Sequence, residues 1–308
     1  MNTPRYAVFE GRIVPFAEAK ISVMTHGFMY GTACFEGIRG YWDEAAGVLA
    51  FFRLREHYAR LHQSCRILRI GLRHPVDELC GLTAELARTN GDRGDVYVRP
   101  IAYKSALMIG PHLNGVTDDF TLFMLPFGKY IETESGIRCR TVSWRRPSDG
   151  MIPARAKVNG LYVNSALAKT EALEEGYDEA IMLTADGCVA EGSTENVFLV
   201  TDGALVTPPV TDSILVGITR DTVLTLARRE LGLPVVERRV DRTELYVADE
   251  CFFCGTGAEV SPIVEVDRRA VGTGKVGPVT RQIQALYGDV VHGRHPGYAH
   301  WRYSVSIP

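Results

Sequence analysis

Lysine is scarce in this chain, with six residues against 28 arginines in 308. Neither sign of charge dominates. The formal net charge is −3 and the isoelectric point near 6.3, which gives no reason to expect nucleic acid or an anionic membrane surface as a partner. No apolar run approaches the roughly 18 residues needed to cross a bilayer, and no basic-then-apolar leader opens the sequence. The seven cysteines are odd in number and scattered, which argues against a disulfide framework and for a reducing compartment. Internal repeats and low-complexity segments are also missing. These absences predict a soluble cytoplasmic protein, and the length predicts two domains, each with its own core.

What is present reads as α+β. A hairpin is expected at 6–9 and 12–14, turning at Glu10-Gly11. Leu54, Tyr58, Leu61, Cys65 and Leu68 recur at three- and four-residue steps and predict a helix over 54–69. A second helix, 76–89, starts after Pro75 and stops at Asn90-Gly91. Strands are expected at 96–103 and 120–126, separated by a breaker-rich loop at 110–115. Further on, strands are expected at 138–144, 179–184, 197–200, 235–240 and 250–254, and helices at 163–175, 219–231 and 278–287. Ala185-Asp186-Gly187 and Asp202-Gly203 signal hairpin turns. Periodicity lapses after Phe127, which suggests a small first domain at 1–127, a linker at 128–136 and a second domain at 137–308. The tail after Gly293 has no assignable pattern.

The rare lysines give one of them weight. Lys157 sits among small and apolar residues in Ile152-Pro153-Ala154-Arg155-Ala156-Lys157-Val158-Asn159-Gly160-Leu161-Tyr162. A partly desolvated amine has a lowered pKa and a lone pair ready to attack a carbonyl. The alternative is a lysine whose stem covers an apolar face while its amine reaches water. In Val189-Ala190-Glu191-Gly192-Ser193-Thr194-Glu195-Asn196, a buried Glu191 would balance a positive ring nitrogen on a cofactor carried by that lysine. Glu195 reads as a structural or solvated carboxylate rather than a second acid.

Gly217-Ile218-Thr219 opens a predicted helix. The backbone N–H groups of Ile218 and Thr219, the helix dipole and the Thr219 hydroxyl would suit an anion there; an ordinary Thr cap without a ligand fits the same residues. Strand alternation turns Tyr97 and Arg99 of Tyr97-Val98-Arg99-Pro100 to one face, placing a phenol beside a guanidinium. Taken alone, Arg60 is a solvated charge on the polar side of its helix, and Tyr30 and Phe35 are buried aromatics. Cys251 and Cys254 have CxxC spacing but face opposite sides of a strand. His292, His295 and His300 lack a completing ligand, so no metal is expected.

In length and order, the lysine and glutamate segments resemble the motifs of the fold-type IV pyridoxal-phosphate enzymes. From about Tyr6 to about Val291 the chain most resembles the branched-chain amino-acid aminotransferases. The resemblance implies a two-domain α+β fold, with a small α/β N-terminal domain and a larger C-terminal domain built on a β-barrel-like sheet and helices. It implies pyridoxal 5′-phosphate as cofactor, linked to Lys157, with Glu191 at the pyridine nitrogen and Tyr162 near the phenolic oxygen. Arg60 stands at the phosphate-gripping position of the family's Arg-Glu-His-x-x-Arg-Leu, here Arg55-Glu56-His57-Tyr58-Ala59-Arg60-Leu61. Thr256, in Cys254-Gly255-Thr256-Gly257-Ala258, matches a second phosphate contact, and the Thr256-Gly257 turn offers N–H groups to a substrate carboxylate.

The segment His26-Gly27-Phe28-Met29-Tyr30-Gly31-Thr32-Ala33-Cys34-Phe35-Glu36-Gly37-Ile38-Arg39 matches a signature whose tyrosine, phenylalanine and glycine line the side-chain pocket; these are Tyr30, Phe35 and Gly37. By the same resemblance Tyr97 helps hold the α-carboxylate, Arg99 receives the distal carboxylate of glutamate, and Tyr130 is a further pocket tyrosine. The implied activity moves the amino group of Leu, Ile or Val to 2-oxoglutarate. The implied assembly is at least a homodimer, with active sites at the subunit interface and Tyr30 supplied by the neighbour. Amino acids and 2-oxo acids are the expected small-molecule partners.

One departure keeps alternatives open. Where close family members have a glycine-rich loop, this chain reads Ala102-Tyr103-Lys104-Ser105-Ala106-Leu107-Met108-Ile109-Gly110. An (R)-amine or D-amino-acid transaminase, or an aminodeoxychorismate-lyase-like enzyme, would share the fold. A non-catalytic binding protein would share it too, although every motif position is filled.

Overall fold

The computed structural model describes residues 3–128 and 134–308, so Tyr130 and the middle of the expected linker lie outside the described residues. The chain divides into two compact units. One comprises Met1–Gly128, Ala156–Gly160 and Val290–Pro308; the other comprises Lys129–Arg155 and Leu161–Asp289.

The first unit opens with the expected hairpin, β1 (Tyr6–Phe9) and β2 (Arg12–Pro15), followed by a one-turn helix α1 (His26–Tyr30). Next come β3 (Ala33–Phe35), β4 (Ile38–Asp43) and β5 (Val48–Phe52), the helices α2 (Leu54–Ile67) and α3 (Val76–Asn90), and the long strands β6 (Val96–Lys104) and β7 (Asp118–Pro126). All strand pairs here are antiparallel. β3 and β4 run along the same strand, β6, and are interrupted at Glu36-Gly37. On β6 the buried Val96, Val98 and Pro100 alternate with half-buried Tyr97, Arg99 and Ile101. Tyr97 and Arg99 therefore do share a face.

Helix α2 buries Leu54, Tyr58, Leu61 and Cys65 as its spacing predicts, but it also buries His57, Arg60 and Ser64. Arg60, expected on the solvated side, is only 8 % exposed. The cause is long-range: a buried carboxylate, Glu36, meets it from the β3–β4 interruption.

The second unit holds β8 (Ile137–Arg145), α4 (Tyr162–Glu174), β9 (Glu179–Leu183), β10 (Val189–Gly192), β11 (Asn196–Thr201) and β12 (Ala204–Thr207). It continues through α5 (Ile218–Arg229), β13 (Val235–Glu237), β14 (Glu250–Gly255), β15 (Glu259–Val266), β16 (Arg269–Ala270) and α6 (Pro278–Val291). Its sheet runs β10-β9-β8-β15-β14-β11-β12-β13, with β16 added on β15. The sheet is mixed: β8 is parallel to both β9 and β15, and β12 is parallel to β13. The core includes Ile181, Leu183, Val197, Leu199, Phe253 and Ile263, and α4 packs Ala168 and Ala172 onto the side carrying Val142, Ala180 and Met182.

Three expectations need correction. The strand expected over 235–240 ends at Glu237, because Val240 gives its carbonyl to Val189 and Asp241 starts a capped 3-10 turn. The unassigned tail forms a 3-10 segment, Pro296–Trp301, and a strand β17 (Arg302–Ser306) antiparallel to β5. Segments 156–160 and 290–308, placed by sequence in the second domain, pack with the first. For 156–160 the tie is a β-bridge between Cys34 and Val158, together with the Phe35 N–H donating to the Lys157 carbonyl at 3.0 Å.

Among the described residues no helix is long and apolar enough to cross a membrane, and no group of His, Cys, Asp and Glu is arranged to hold a metal. All seven cysteines are free, Cys251 and Cys254 included.

Candidate active site

In the first unit, Lys157 reaches its neighbours through its backbone. Its N–H donates to Ser64 Oγ on α2 at 3.1 Å, and its carbonyl accepts from Phe35. The side chain is half-buried, with Nζ 5.0 Å from the centre of the Phe35 ring. Desolvation, and then the Arg60 guanidinium, push its pKa down to about 8, against opposing pulls from Glu36 and Tyr97. A neutral fraction of this amine therefore exists near neutral pH, the condition for attack on a carbonyl carbon.

Phe35 also underlies Arg99, whose guanidinium carbon lies 4.3 Å from the ring centre. Arg99 Nη2 donates to the Tyr97 hydroxyl at 3.0 Å, while its buried Nε–H has no hydrogen-bond partner among the described residues. An unsatisfied buried donor on a guanidinium suits a carboxylate ligand. Gly37 faces the Tyr97 ring so closely that an added Cβ would lie 2.7 Å from Cζ and closer still to the hydroxyl. Lys157, Phe35, Gly37, Tyr97 and Arg99 are thus brought together.

Tyr30 ends α1, partly exposed, and its hydroxyl accepts from the Gly110 N–H at 3.0 Å. His26 steadies the same loop through Thr32 Oγ1 and the Gly110 carbonyl, at 2.7 and 2.9 Å. Lys104, the residue that set this loop apart, is buried and anchored by the Arg69 carbonyl and Asp118, at 2.6 and 2.9 Å. Its charge is consumed within the unit.

The second unit carries Tyr162, Glu191, Ile218, Thr219 and Thr256. Glu191 is buried on β10. Its Oε1 pairs with the buried Arg146 at 2.6 Å, and its Oε2 accepts from Asn196 Nδ2 and the Leu215 N–H, both at 3.1 Å. These donors fix the carboxylate in place, and a carboxylate is the acceptor that a protonated ring nitrogen needs. Asn196 is the register partner of Cys254, two residues before Thr256 in the β14–β15 turn. It also crowds Gly217, the N-cap of α5, where an added Cβ would collide with its Oδ1. Gly217 provides no side-chain cap, so the start of the helix at Ile218-Thr219 remains suited to an anion. Tyr162 opens α4, half-buried.

Glu195 is buried and accepts from the Thr194 N–H and hydroxyl. Burial, and then Glu179, push its pKa up to about 7. These bonds suit the structural role expected of it.

The residue types of each unit fit pyridoxal phosphate: the first supplies an amine of lowered basicity, and the second a buried carboxylate paired with Arg146 and a helix that starts at Ile218-Thr219. Sequence reasoning missed Glu36, His57, Ser64, Arg146 and Asn196. Only Glu36 left a sequence signal, as a lone charge within Ala33-Cys34-Phe35-Glu36-Gly37-Ile38.

Comparison with known proteins points the same way. The model of the family described as amino-transferase class IV matches residues 33–266. A probable branched-chain-amino-acid aminotransferase of Aquifex aeolicus is 50 % identical over 96 % of this chain and 95 % of its own length. The branched-chain aminotransferase of Thermoproteus uzoniensis, solved with norvaline, superimposes with a TM-score of 0.94 at 43 % identity, covering 98 % of this chain and 99 % of that one. That of Thermobaculum terrenum, solved in its PLP form, gives 0.94 at 42 % identity, covering 99 % of each chain.

Proposed function

The chain belongs to the amino-transferase class IV family and transaminates branched-chain amino acids, and we propose that Lys157 carries the reaction on pyridoxal phosphate, with 2-oxoglutarate as the acceptor. The observation that carries this reading is the Lys157 amine, half-buried beside Phe35 and lowered in basicity to about 8. Bound pyridoxal phosphate supplies a carbonyl carbon for covalent capture of amines and a ring that takes up the electron pair released at the substrate α-carbon.

The protein residues do the rest. Lys157 Nζ takes and returns the proton at the α-carbon. Glu191, fixed by Arg146 and Asn196, keeps the ring nitrogen protonated. Arg60, Thr256 and the helix start at Ile218-Thr219 hold the phosphate, and Tyr162 orients the ring through its phenolic oxygen. Tyr97 and the Thr256-Gly257 turn receive the α-carboxylate. The unsatisfied Nε–H of Arg99 supports its assignment to the distal carboxylate of 2-oxoglutarate and glutamate. Phe35, Gly37, Tyr30 and Tyr130 would shape the side-chain pocket.

The working form is a homodimer or larger homo-oligomer acting in the cytoplasm. The exposed apolar side chains Val23, Phe28, Met29, Tyr30, Leu107 and Ile109 support burial of this face by a second copy, which would present Tyr30 to its neighbour.

The test is spectroscopic. L-leucine should bleach the yellow absorbance of the bound cofactor and 2-oxoglutarate should restore it, while D-alanine and an (R)-amine leave it unchanged. Bleaching by the D- or (R)-donors alone would refute the donor class. Turnover by Lys157→Ala near the wild-type rate would refute the mechanism.

A further inference from the structure

Glu36 has no part in the site as assigned so far, yet its carboxylate is completely buried at the β3–β4 interruption. Its oxygens take a side-on fork from Arg60, Nε to Oε1 and Nη2 to Oε2, each at 2.7 Å. Oε2 is also 2.8 Å from His57 Nδ1. Burial would raise the pKa of Glu36, but Arg60 and His57 outweigh it and hold it at about 2. An ionised carboxylate only accepts, so His57 donates from Nδ1. Burial lowers the basicity of His57, against an opposing pull from Glu36.

A fork of this kind fixes a guanidinium in plane and direction, so Glu36 ties one edge of Arg60 and thereby aims the other. His57, Arg60 and Ser64 lie one turn apart on the buried stripe of α2, and Ser64 is the group that receives the Lys157 N–H. The groups that face Lys157 electrostatically are Arg60 and His57 from α2, Glu36 from the β3–β4 interruption, and Tyr97 and Arg99 from β6. Two guanidinium charges in that set are opposed by one ionised carboxylate.

Resting on the assignment of Lys157 and Arg60 to the cofactor, we propose that Glu36 is a positioning residue for the reaction: it aims Arg60 at the phosphate and offsets the positive charge beside Lys157. The two effects are separable. Glu36→Gln removes the charge and spoils the fork, because one acceptor becomes a donor. Glu36→Asp keeps the charge and shortens the reach.

The experiment uses full-length wild type, E36Q and E36D, each checked for folding by circular dichroism and denaturant midpoint. Affinity for pyridoxal phosphate is measured by fluorescence. The pH profile of Lys157 acylation by acetic anhydride is measured on cofactor-free protein by peptide mass spectrometry. E36Q should bind the cofactor about tenfold more weakly or worse, and its Lys157 midpoint should fall by about one pH unit. E36D should bind about as weakly as E36Q with the midpoint unmoved, and it decides the matter alone if E36Q does not fold. Wild-type affinity in E36D, or an unmoved midpoint in folded E36Q, overturns the proposal. A wild-type protein that fails to capture pyridoxal phosphate on Lys157 would refute the functional reading instead, before either variant is compared.

Discussion

Adding one methyl group at Gly37 should cripple substrate binding through Tyr97. A Cβ at this position would lie 2.7 Å from Tyr97 Cζ, about 0.7 Å short of ordinary contact at 3.4 Å, and would overlap the hydroxyl more severely. The ring has little room to retreat, because Phe127 packs against it with ring centres 4.9 Å apart. Moving the hydroxyl also breaks its 3.0 Å hydrogen bond from Arg99. Overpacking costs about 1–3 kcal/mol, and loss of a hydrogen bond to a charged group costs about 1.5–3 kcal/mol. If about 3 kcal/mol of this falls on the bound state, kcat/KM in Gly37→Ala drops about 100-fold. The assay is steady-state kinetics with L-leucine and 2-oxoglutarate for Gly37→Ala, Tyr97→Ala and the double variant. Since the damage passes through Tyr97, alanine at position 37 should cost almost nothing once Tyr97 is alanine. Activity of the single Gly37→Ala variant within twofold of wild type, or an equal loss in both backgrounds, refutes the reasoning.

Other perturbations are equally direct. Arg146→Ala leaves the buried Glu191 carboxylate without its ion-pair partner and should destabilise the protein by about 3–5 kcal/mol in chemical denaturation; a loss below about 1 kcal/mol would contradict the pairing. Arg99→Ala should slow the 2-oxoglutarate half-reaction more than the leucine half-reaction, and equal losses would remove Arg99 from its assigned role. Glu195 has its pKa raised from 4.5 to about 7, so the folded state keeps a proton that the unfolded state releases, and stability falls as pH rises through that interval. Glu195→Gln should therefore be more stable than wild type at pH 8, by about 1–3 kcal/mol, and nearly equal to it at pH 4.5; no difference between the two pH values would refute the buried carboxylate.

Local periodicity made the helices legible. The stripes of α2 and α3 predicted their spans to within about two residues, and Gly91 closes α3 in the left-handed conformation that the Asn90-Gly91 signal implied. Strands β3, β4 and β5 escaped notice because they are buried on both faces along most of their length, which removes the alternation that marks a half-buried strand. β17 escaped for another reason: its pairing partner is β5, some 250 residues earlier. Arg60 shows the limit most clearly. Helical spacing places it away from the Leu54-Tyr58-Leu61-Cys65 stripe, and only the arrival of Glu36 makes its burial favourable. Residue type and spacing carry no record of such a meeting.

The lysine segment shows how the site is nonetheless written into the chain. Lys157 owes its environment to residues 35–36, 60–64 and 97–99, none adjacent to it in sequence. Two glycines, Gly31 and Gly160, meet where these segments converge. Gly31 has φ +66°, and a Cβ there would lie 2.8 Å from the Gly160 Cα. The Gly160 N–H in turn donates to the Gly31 carbonyl at 3.2 Å. One glycine belongs to the pocket signature and the other to the lysine motif, three residues past Lys157. Backbone therefore meets backbone at a point where Gly31 has no room for a side chain, and the Cys34–Val158 bridge and the Phe35–Lys157 hydrogen bond continue the same contact toward the amine. The two motifs form one structural unit. Their glycines bring the backbones together, and the side chains between them then form a desolvated setting for Lys157.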